Sequence, residues 1–190
     1  MKAILISVQP QWVAKILNGE KTLEIRKSMP KCDLPIDVYI YVTKGDKKSC
    51  LEYADNPDKS KDGKWCITSG YPYANGKVVA KFTLNKVEEI ECITRDNGFA
   101  IERYITKELS VVDIMEKSCL YFEDLKDYLY YSNGYAIHIT KLEIFDKPKE
   151  LREFRKHLST GNCWNCKIFG NGCITCAITK APQSWCYVEV

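Results

Sequence analysis

The sequence predicts an α+β protein built on a small β-barrel that is flanked by short helices. Three observations lead to this fold class. Several short segments rich in β-branched and aromatic residues are bounded by turn residues, as strands are. Other short segments repeat apolar residues at the helical period. Strands and helices do not alternate regularly along the chain, which disfavours a parallel sheet with crossover helices.

Length and composition indicate one folded domain over residues 1–190. A chain of 190 residues lies near the usual domain size and can bury a core without disulfide or metal staples. Apolar residues make up 45% and charged residues 28%, which is the balance of a folded chain and not of a disordered one. The formal net charge is only +3, so any affinity for nucleic acid must come from a local patch.

The first elements follow from local signals near the N-terminus. Residues 3–8, AILISV, form an apolar and β-branched strand. Pro10 suits the first position of a helix, and Gly19 suits its end. Residues 22–26, TLEIR, alternate between apolar and charged side chains and predict a half-buried strand. Residues 36–43 predict another strand.

The middle of the chain begins with a polar stretch, residues 44–64, which we interpret as a long surface insertion. Residues 76–93 predict one long strand or a bent pair of strands. Residues 109–118 and 121–132 predict two short helices, the first of them capped by Ser110.

The last third of the chain predicts strands around a short helix. Residues 134–145 form a strand, and residues 147–158, KPKELREFRKHL, predict a short basic helix that begins after Pro148. Residues 183–190 predict a closing strand. Between the basic helix and the closing strand lies a Cys-rich loop, residues 160–178.

The expected location of the chain is the cytoplasm. Its opening apolar run is six residues long, which is too short for the core of a signal peptide. No window approaches the roughly 18 apolar residues that a membrane span needs. The ten cysteines are therefore expected to stay as thiols or to bind metal.

Charged side chains crowd the stretch NGEKTLEIRK, residues 18–27. Lys21, Glu24 and Arg26 form either a solvated strand face, whose ion pair is worth under about 1 kcal/mol, or a ligand site. In a site, the two cations would hold phosphate or carbonyl oxygens, and the carboxylate would accept hydrogen bonds from a base.

Three further residues are candidates for the same site. Ser7 and Gln9 follow the first strand and either donate to a phosphate or cap the helix that begins at Pro10. Trp185 lies on the closing strand and shares a face with Tyr187. It either stacks on a base or packs in the core.

The N-terminal run ILISVQPQWVAKILNGEKTLEIRK resembles the signature of ASCH domains, a branch of the PUA-like superfamily. The hallmark of that signature is glycine, any residue, lysine, two residues, glutamate, any residue and arginine, which here are Gly19, Lys21, Glu24 and Arg26. The resemblance covers about residues 1–147, and the ending APQSWCYVEV is similar to that of small phage and bacterial members. It implies a PUA-like β-barrel with a cleft beside the motif strand, and a role in binding RNA or a modified nucleoside.

The resemblance also raises the question of catalysis. Some small bacterial members of the superfamily are amidohydrolases that remove the acyl group from acetylated cytidine with a lysine, a threonine and a distant glutamate. Lys21 matches that lysine, but Glu24 stands where the threonine is expected, and Thr22 is one residue from the lysine instead of three. A carboxylate beside Lys21 would raise the lysine pKa, which opposes its use as a base. If the chain is an enzyme, Lys21 and Glu24 are the catalytic candidates.

The segment CWNCKIFGNGCITC predicts a metal site. It contains two CxxC pairs, separated by a turn-forming GNG: Cys163 and Cys166, then Cys173 and Cys176. Four thiolates suit a tetrahedral zinc ion, and a closed site of this kind is structural because it leaves no position for water. A redox pair or a set of unliganded thiols is the alternative.

Three functional hypotheses follow. The preferred one is a protein that binds RNA or a modified nucleotide in a cleft lined by Lys21, Glu24 and Arg26. The second is a hydrolase that acts on acylated cytidine or RNA in the same cleft. The third is a zinc-bearing module that binds another protein and whose charged strand is only surface.

Overall fold

The protein is described here from a computed structural model. The structure describes residues 1–45, 48–54, 63–69, 74–94, 101–130, 132–156 and 175–190.

The described residues form twelve strands, three α-helices and one turn of 3₁₀-helix, an α+β composition that confirms the predicted class. The strands are β1 (Lys2–Val8), β2 (Leu23–Arg26), β3 (Ile36–Val42), β4 (Cys50–Ala54), β5 (Lys64–Thr68), β6 (Val78–Leu84), β7 (Val87–Thr94), β8 (Ile101–Ile105), β9 (Gly134–His138), β10 (Thr140–Lys149), β11 (Arg155–Lys156) and β12 (Trp185–Glu189). The helices are α1 (Pro10–Leu17), α2 (Val111–Ser118) and α3 (Phe122–Leu129), and the 3₁₀ turn is Leu151–Glu153.

The strands pair in two main sheets and one ribbon. The six-stranded sheet has the order β10-β6-β3-β1-β12-β11, and the four-stranded sheet has the order β2-β9-β7-β8. Strands β4 and β5 form a separate two-stranded ribbon. Among the strands that the structure describes, β1 and β3 are the only parallel pair. In the part of the chain that the structure describes, neither sheet closes on itself, so the predicted barrel is present as two open sheets packed together.

Two sharp links carry the chain from one main sheet to the other. Residues 85–86 separate β6 from β7, as the prediction of a bent pair of strands required. Ile139 separates β9 from β10, and its N–H donates to the Thr22 carbonyl at 3.0 Å. Each long apolar stretch therefore contributes one strand to each sheet, which holds the two sheets side by side.

The two sheets bury separate apolar clusters. The larger cluster packs β1, β3 and β6 against α1, around Ile4, Val13 and Phe82. The second packs β2, β7 and β9 against α2 and α3, around Leu23 and Ile114. Each helix contributes apolar side chains to one of these clusters, and Ser110 caps α2, as predicted, through a reciprocal bond with Asp113.

The prediction of a basic helix at residues 147–158 is wrong. Strand β10 continues to Lys149, a single 3₁₀ turn follows, and β11 then pairs with β12. Phe154 explains the difference, because it is buried in a third cluster with its ring 5.0 Å from that of Tyr39. Extended backbone at this point keeps Phe154 in the core and lets β11 add to the sheet.

The range 44–64 is not wholly a surface insertion. Cys50 and Leu51 of strand β4 are fully buried, and the β4-β5 ribbon contacts α1. Asn75 fixes the start of the ribbon, because its side chain accepts from the Leu51 N–H at 2.9 Å and donates to two carbonyls.

Most of the Cys-rich loop predicted at 160–178 lies outside the described residues, as do Cys163, Cys166 and Cys173. Cys176 is described and buried, and its carbonyl accepts from the Lys156 N–H at 2.8 Å. The described residues contain no group of three metal-binding side chains. The zinc site stays a prediction. No described helix is long and apolar enough to cross a membrane.

Candidate nucleotide-binding cleft

A cleft of about 430 Å³ opens where the six-stranded sheet meets the edge of the four-stranded sheet. Its volume lies in the range of roughly 300–1,000 Å³ that is usual for small-molecule sites. The lining residues come from the end of β1 and the residue after it, the residue after β3, strand β2 and the segment before it, the helices α1 and α3, the link between α2 and α3, and the segment before β12. The lining residues are Ser7, Val8, Gln9, Trp12, Lys21, Glu24, Ile25, Arg26, Thr43, Leu120, Asp124, Asp127, Tyr128, Gln183 and Ser184.

Strand β2 is buried on both faces, which corrects the prediction of a half-buried strand. Leu23 and Ile25 pack in the second apolar cluster, as alternation requires. Glu24 and Arg26 point the other way and line the cleft, yet they are only 7% and 6% exposed. The charged side chains are therefore buried, and the interpretation of this strand as a solvated surface face is wrong.

Lys21 is held by three acceptors. Its ammonium donates to the Leu23 carbonyl at 2.9 Å and to the Ser118 carbonyl at 2.8 Å, and it lies 3.3 Å from a carboxylate oxygen of Glu24. An ammonium has three hydrogens to donate, so these contacts use its whole capacity. Lys21 thus joins β2 to the end of α2 and positions the Glu24 carboxylate.

Burial lowers the pKa of Lys21, although the neighbouring Glu24 carboxylate opposes the effect. The Glu24 carboxylate does raise the pKa, as the sequence predicted, but burial has the larger effect and the net direction is downward. The contacts still favour the ammonium form. Loss of a proton would direct a lone pair at the Glu24 carboxylate or at a carbonyl oxygen.

Arg26 holds the other oxygen of the same carboxylate. One terminal nitrogen lies 2.9 Å from Glu24 Oε1 and donates to the Ser7 carbonyl at 2.9 Å. The other terminal nitrogen makes 3.4 Å contacts with Ser184. Arg26 therefore links the four-stranded sheet to β1 and to the segment before β12, and it fixes Glu24 from the side opposite Lys21.

The charges of the cleft are mixed. Two cations, Lys21 and Arg26, line it together with three carboxylates, those of Glu24, Asp124 and Asp127. Both cations are committed to Glu24 and to main-chain carbonyls. Glu24, whose oxygens retain lone pairs, is the group best placed to accept hydrogen bonds from a ligand.

Two aromatic side chains, Trp12 and Tyr128, also line the cleft. Neither was predicted from the sequence as a site residue. Trp12 of α1 lies under the Lys21 ammonium, with 5.6 Å between the nitrogen and the ring centre. Tyr128 of α3 lies under the Lys27 ammonium at 5.3 Å. Both fall on amphipathic helices, where the periodicity that marks a core face also marks a cleft wall.

Ser7 and Gln9 both line the cleft, and neither caps α1 through its side chain. The Ser7 hydroxyl donates to the Pro182 carbonyl at 2.6 Å. Gln9 occupies the N-cap position without a side-chain hydrogen bond to the helix, and its side-chain oxygen accepts from Gln11 at 2.6 Å. The capping interpretation of these two residues is wrong.

Trp185 and Thr22 lie outside the residues that line the cleft. Trp185 pairs in register with the core residue Ile6, packs against the larger apolar cluster, and donates from its indole N–H to the Ser28 hydroxyl at 3.2 Å. Thr22 is exposed.

No protein-family model matches the sequence, and no curated protein matches it. Solved structures are similar to it across nearly the whole chain. The crystal structure of ASCH from Zymomonas mobilis is 14% identical, covers 98% of this chain and 87% of its own, and has a TM-score of 0.53. A tyrosine-to-phenylalanine variant of that protein is 14% identical, covers 100% of this chain and 91% of its own, and has a TM-score of 0.51. A serine-to-alanine variant is 13% identical, covers 98% and 88%, and has a TM-score of 0.52.

Proposed function

We propose that this chain, which has the ASCH-domain fold, binds RNA or a modified nucleotide by taking one base into the cleft. The observation that carries the proposal is the Glu24 carboxylate, which is 7% exposed and fixed by ion pairs to Lys21 and Arg26. A carboxylate held this rigidly presents lone pairs to the N–H groups of a base at little entropic cost.

The aromatic walls fit a planar ligand. Trp12 and Tyr128 both line the cleft, and aromatic side chains stack on bases with little preference for sequence. The volume of about 430 Å³ suits one base with its sugar and leaves no room for several nucleotides. A polymer would therefore present one unstacked nucleotide at a time.

The charge distribution favours a position for phosphate outside the cleft. Lys21 and Arg26 both contact Glu24 and donate to main-chain carbonyls, and within the described part of the chain only the buried Nε–H of Arg26 has no acceptor. The carboxylates of Asp124 and Asp127 line the wall formed by α3, so a phosphate inside the cleft would face these carboxylates while both cations already contact Glu24. The sequence suggested that Lys21 and Arg26 hold phosphate or carbonyl oxygens of the ligand; in this proposal their main role is to position Glu24.

The test compares Glu24→Gln with Glu88→Gln. Glu88 is a matched control because it is also 7% exposed and paired with a lysine, but it does not line the cleft. We expect Glu24→Gln to lower the affinity for bases that carry an amino group about tenfold, with a smaller loss for bases without one. Glu88→Gln should leave both affinities unchanged in the folded fraction. Equal losses for all bases in Glu24→Gln would contradict the assignment.

The second candidate is a hydrolase of acylated cytidine or RNA in the same cleft. The observation that favours it is the Lys21 ammonium 3.3 Å from Glu24, with a pKa that burial lowers. Incubation with acetylated cytidine or single-stranded RNA, followed by mass spectrometry, distinguishes the two: intact bound ligand supports binding, and released product supports hydrolysis. RNA affinity unchanged in a Lys21/Arg26 double alanine variant would favour the protein-interaction module instead.

A further inference from the structure

Strand β2 has a free edge, and the pairing with β9 fixes which main-chain groups point along it. The Ile139 N–H donates to the Thr22 carbonyl, so this pair of opposite residues is hydrogen-bonded. Hydrogen-bonded pairs alternate with non-bonded pairs in an antiparallel ladder. Glu24 therefore bonds to Ile137, whereas the N–H and C=O of Ile25 point away from Ala136 and out of the sheet.

Other groups cover the outward positions on either side of Ile25. The Leu23 carbonyl accepts from the Lys21 ammonium at 2.9 Å. Tyr128 of α3 lies against Lys27, whose ammonium is 5.3 Å from the centre of the tyrosine ring. Among the described residues, the Ile25 main chain has no hydrogen bond outside the sheet. The edge therefore offers one donor and one acceptor, in a gap one residue wide.

This gap opens into the cleft. Ile25 lines the cleft, but its side chain packs in the second apolar cluster on the opposite face of β2. The Ile25 atoms that can meet a ligand are therefore those of its main chain. They lie on the same strand as Glu24 and between the positions held by Lys21 and Tyr128.

We propose that the Ile25 main chain reads the edge of the bound base, with its N–H donating to a ring nitrogen and its C=O accepting from the adjacent exocyclic amino group. The inference rests on the proposed function and names its ligand class: an amino-substituted heterocycle such as cytosine or adenine. The amino group has a second hydrogen, for which Glu24 is the neighbouring acceptor.

The same geometry excludes an extended peptide as the occupant. A peptide strand that adds to a sheet edge needs hydrogen bonds at successive alternate positions. Here Lys21 bonds to the Leu23 carbonyl on one side of Ile25, and the Tyr128 ring lies against Lys27 on the other side. A single donor and acceptor pair suits a planar ring.

The free protein provides the first part of the test, by amide hydrogen exchange followed with NMR. The Ile25 N–H should exchange at least about tenfold faster than those of Glu24 and Arg26, which bond to β9. On addition of cytidine or adenosine, the Ile25 amide should shift and become protected, while the Ile137 amide of β9, the control, should not. An Ile25 amide that is already protected in the free protein would overturn the inference.

Ligand analogues provide the second part. 3-Deazacytidine lacks the ring-nitrogen acceptor, and N4,N4-dimethylcytidine lacks the amino hydrogens. Each should bind about tenfold more weakly than cytidine, because each loses at least one hydrogen bond. Equal affinity of all three, with no shift of the Ile25 amide, would overturn the main-chain contact and leave the proposed function standing. A lack of binding by every nucleoside and by single-stranded RNA would overturn both.

Discussion

Substitution of Glu88 by glutamine should remove most of one strong pH-dependent contribution to stability. Glu88 on β7 is 7% exposed and contacts three partners: the Thr106 hydroxyl at 2.5 Å, His138 Nε2 at 2.6 Å and the Lys86 ammonium at 3.1 Å. Thr106 in turn accepts from the Leu109 N–H at 2.8 Å. The carboxylate therefore ties the turn before α2 to the four-stranded sheet.

The magnitude follows from the pKa of Glu88. Burial raises it, but the hydrogen bonds from Thr106, His138 and Lys86 outweigh burial and lower the pKa from 4.5 to about 2. That difference corresponds to about 3 kcal/mol of stability at neutral pH. A lowered carboxyl pKa gives stability that is complete above the unfolded-state pKa and is lost as the pH falls toward the folded-state pKa. The loss between neutral pH and about pH 3.5 is about 1.4 kcal/mol.

The assay is urea unfolding of the unmodified chain, Glu88→Gln and Glu108→Gln at about pH 7 and about pH 3.5. The unmodified chain should lose about 1.4 kcal/mol more than Glu88→Gln between these conditions. Glu108 is the control because it contacts the same Lys86 at 2.6 Å but is 64% exposed, so its removal should cost less than about 1 kcal/mol. Identical pH dependence in the unmodified chain and Glu88→Gln would refute the reasoning.

Three further predictions concern other parts of the chain. Asn75→Ala should lower the free energy of unfolding by about 1–3 kcal/mol, because it leaves the buried Leu51 N–H without its acceptor; an unchanged urea midpoint would contradict this. Phe154→Ala should cost about 3–5 kcal/mol through a core cavity, whereas a solvated helix at this position would tolerate the change. Purified protein should carry about one zinc ion per chain by elemental analysis, and Cys176→Ser should remove the bound zinc. Fully folded protein without zinc would contradict the predicted four-cysteine site.

Local signals predicted the elements whose ends are chemically marked. Helix α1 begins at Pro10 and is followed by Gly19 with a φ of +73°, a conformation that glycine adopts without strain. The β4-β5 ribbon was missed because it buries little more than Cys50 and Leu51, so its composition resembles that of a surface loop. The prediction of a helix after Pro148 was wrong because burial of Phe154 outweighs the local helix propensity.

Of the charged side chains in the site, only those on or next to strand β2 could be predicted from the sequence. Glu24 and Arg26 share a face of β2 by simple alternation, and Lys21 lies just before them, so the sequence brought these three together. Their burial depends on α2, α3 and the segment before β12, which reach β2 only through the tertiary fold. Tyr128 joins the cleft for the same reason, at a separation in sequence that no local pattern spans.

The place of β12 within the six-stranded sheet affects how the chain folds during synthesis. Strand β12 lies between β1 and β11, and the Met1 nitrogen meets the Val190 carbonyl across 189 positions. One edge of β1 therefore stays unpaired until β12 has left the ribosome. Contacts so distant in sequence slow folding. The edge of β1 that faces β12 therefore stays open throughout that interval, which makes it the edge that a nascent-chain chaperone would protect from other strands.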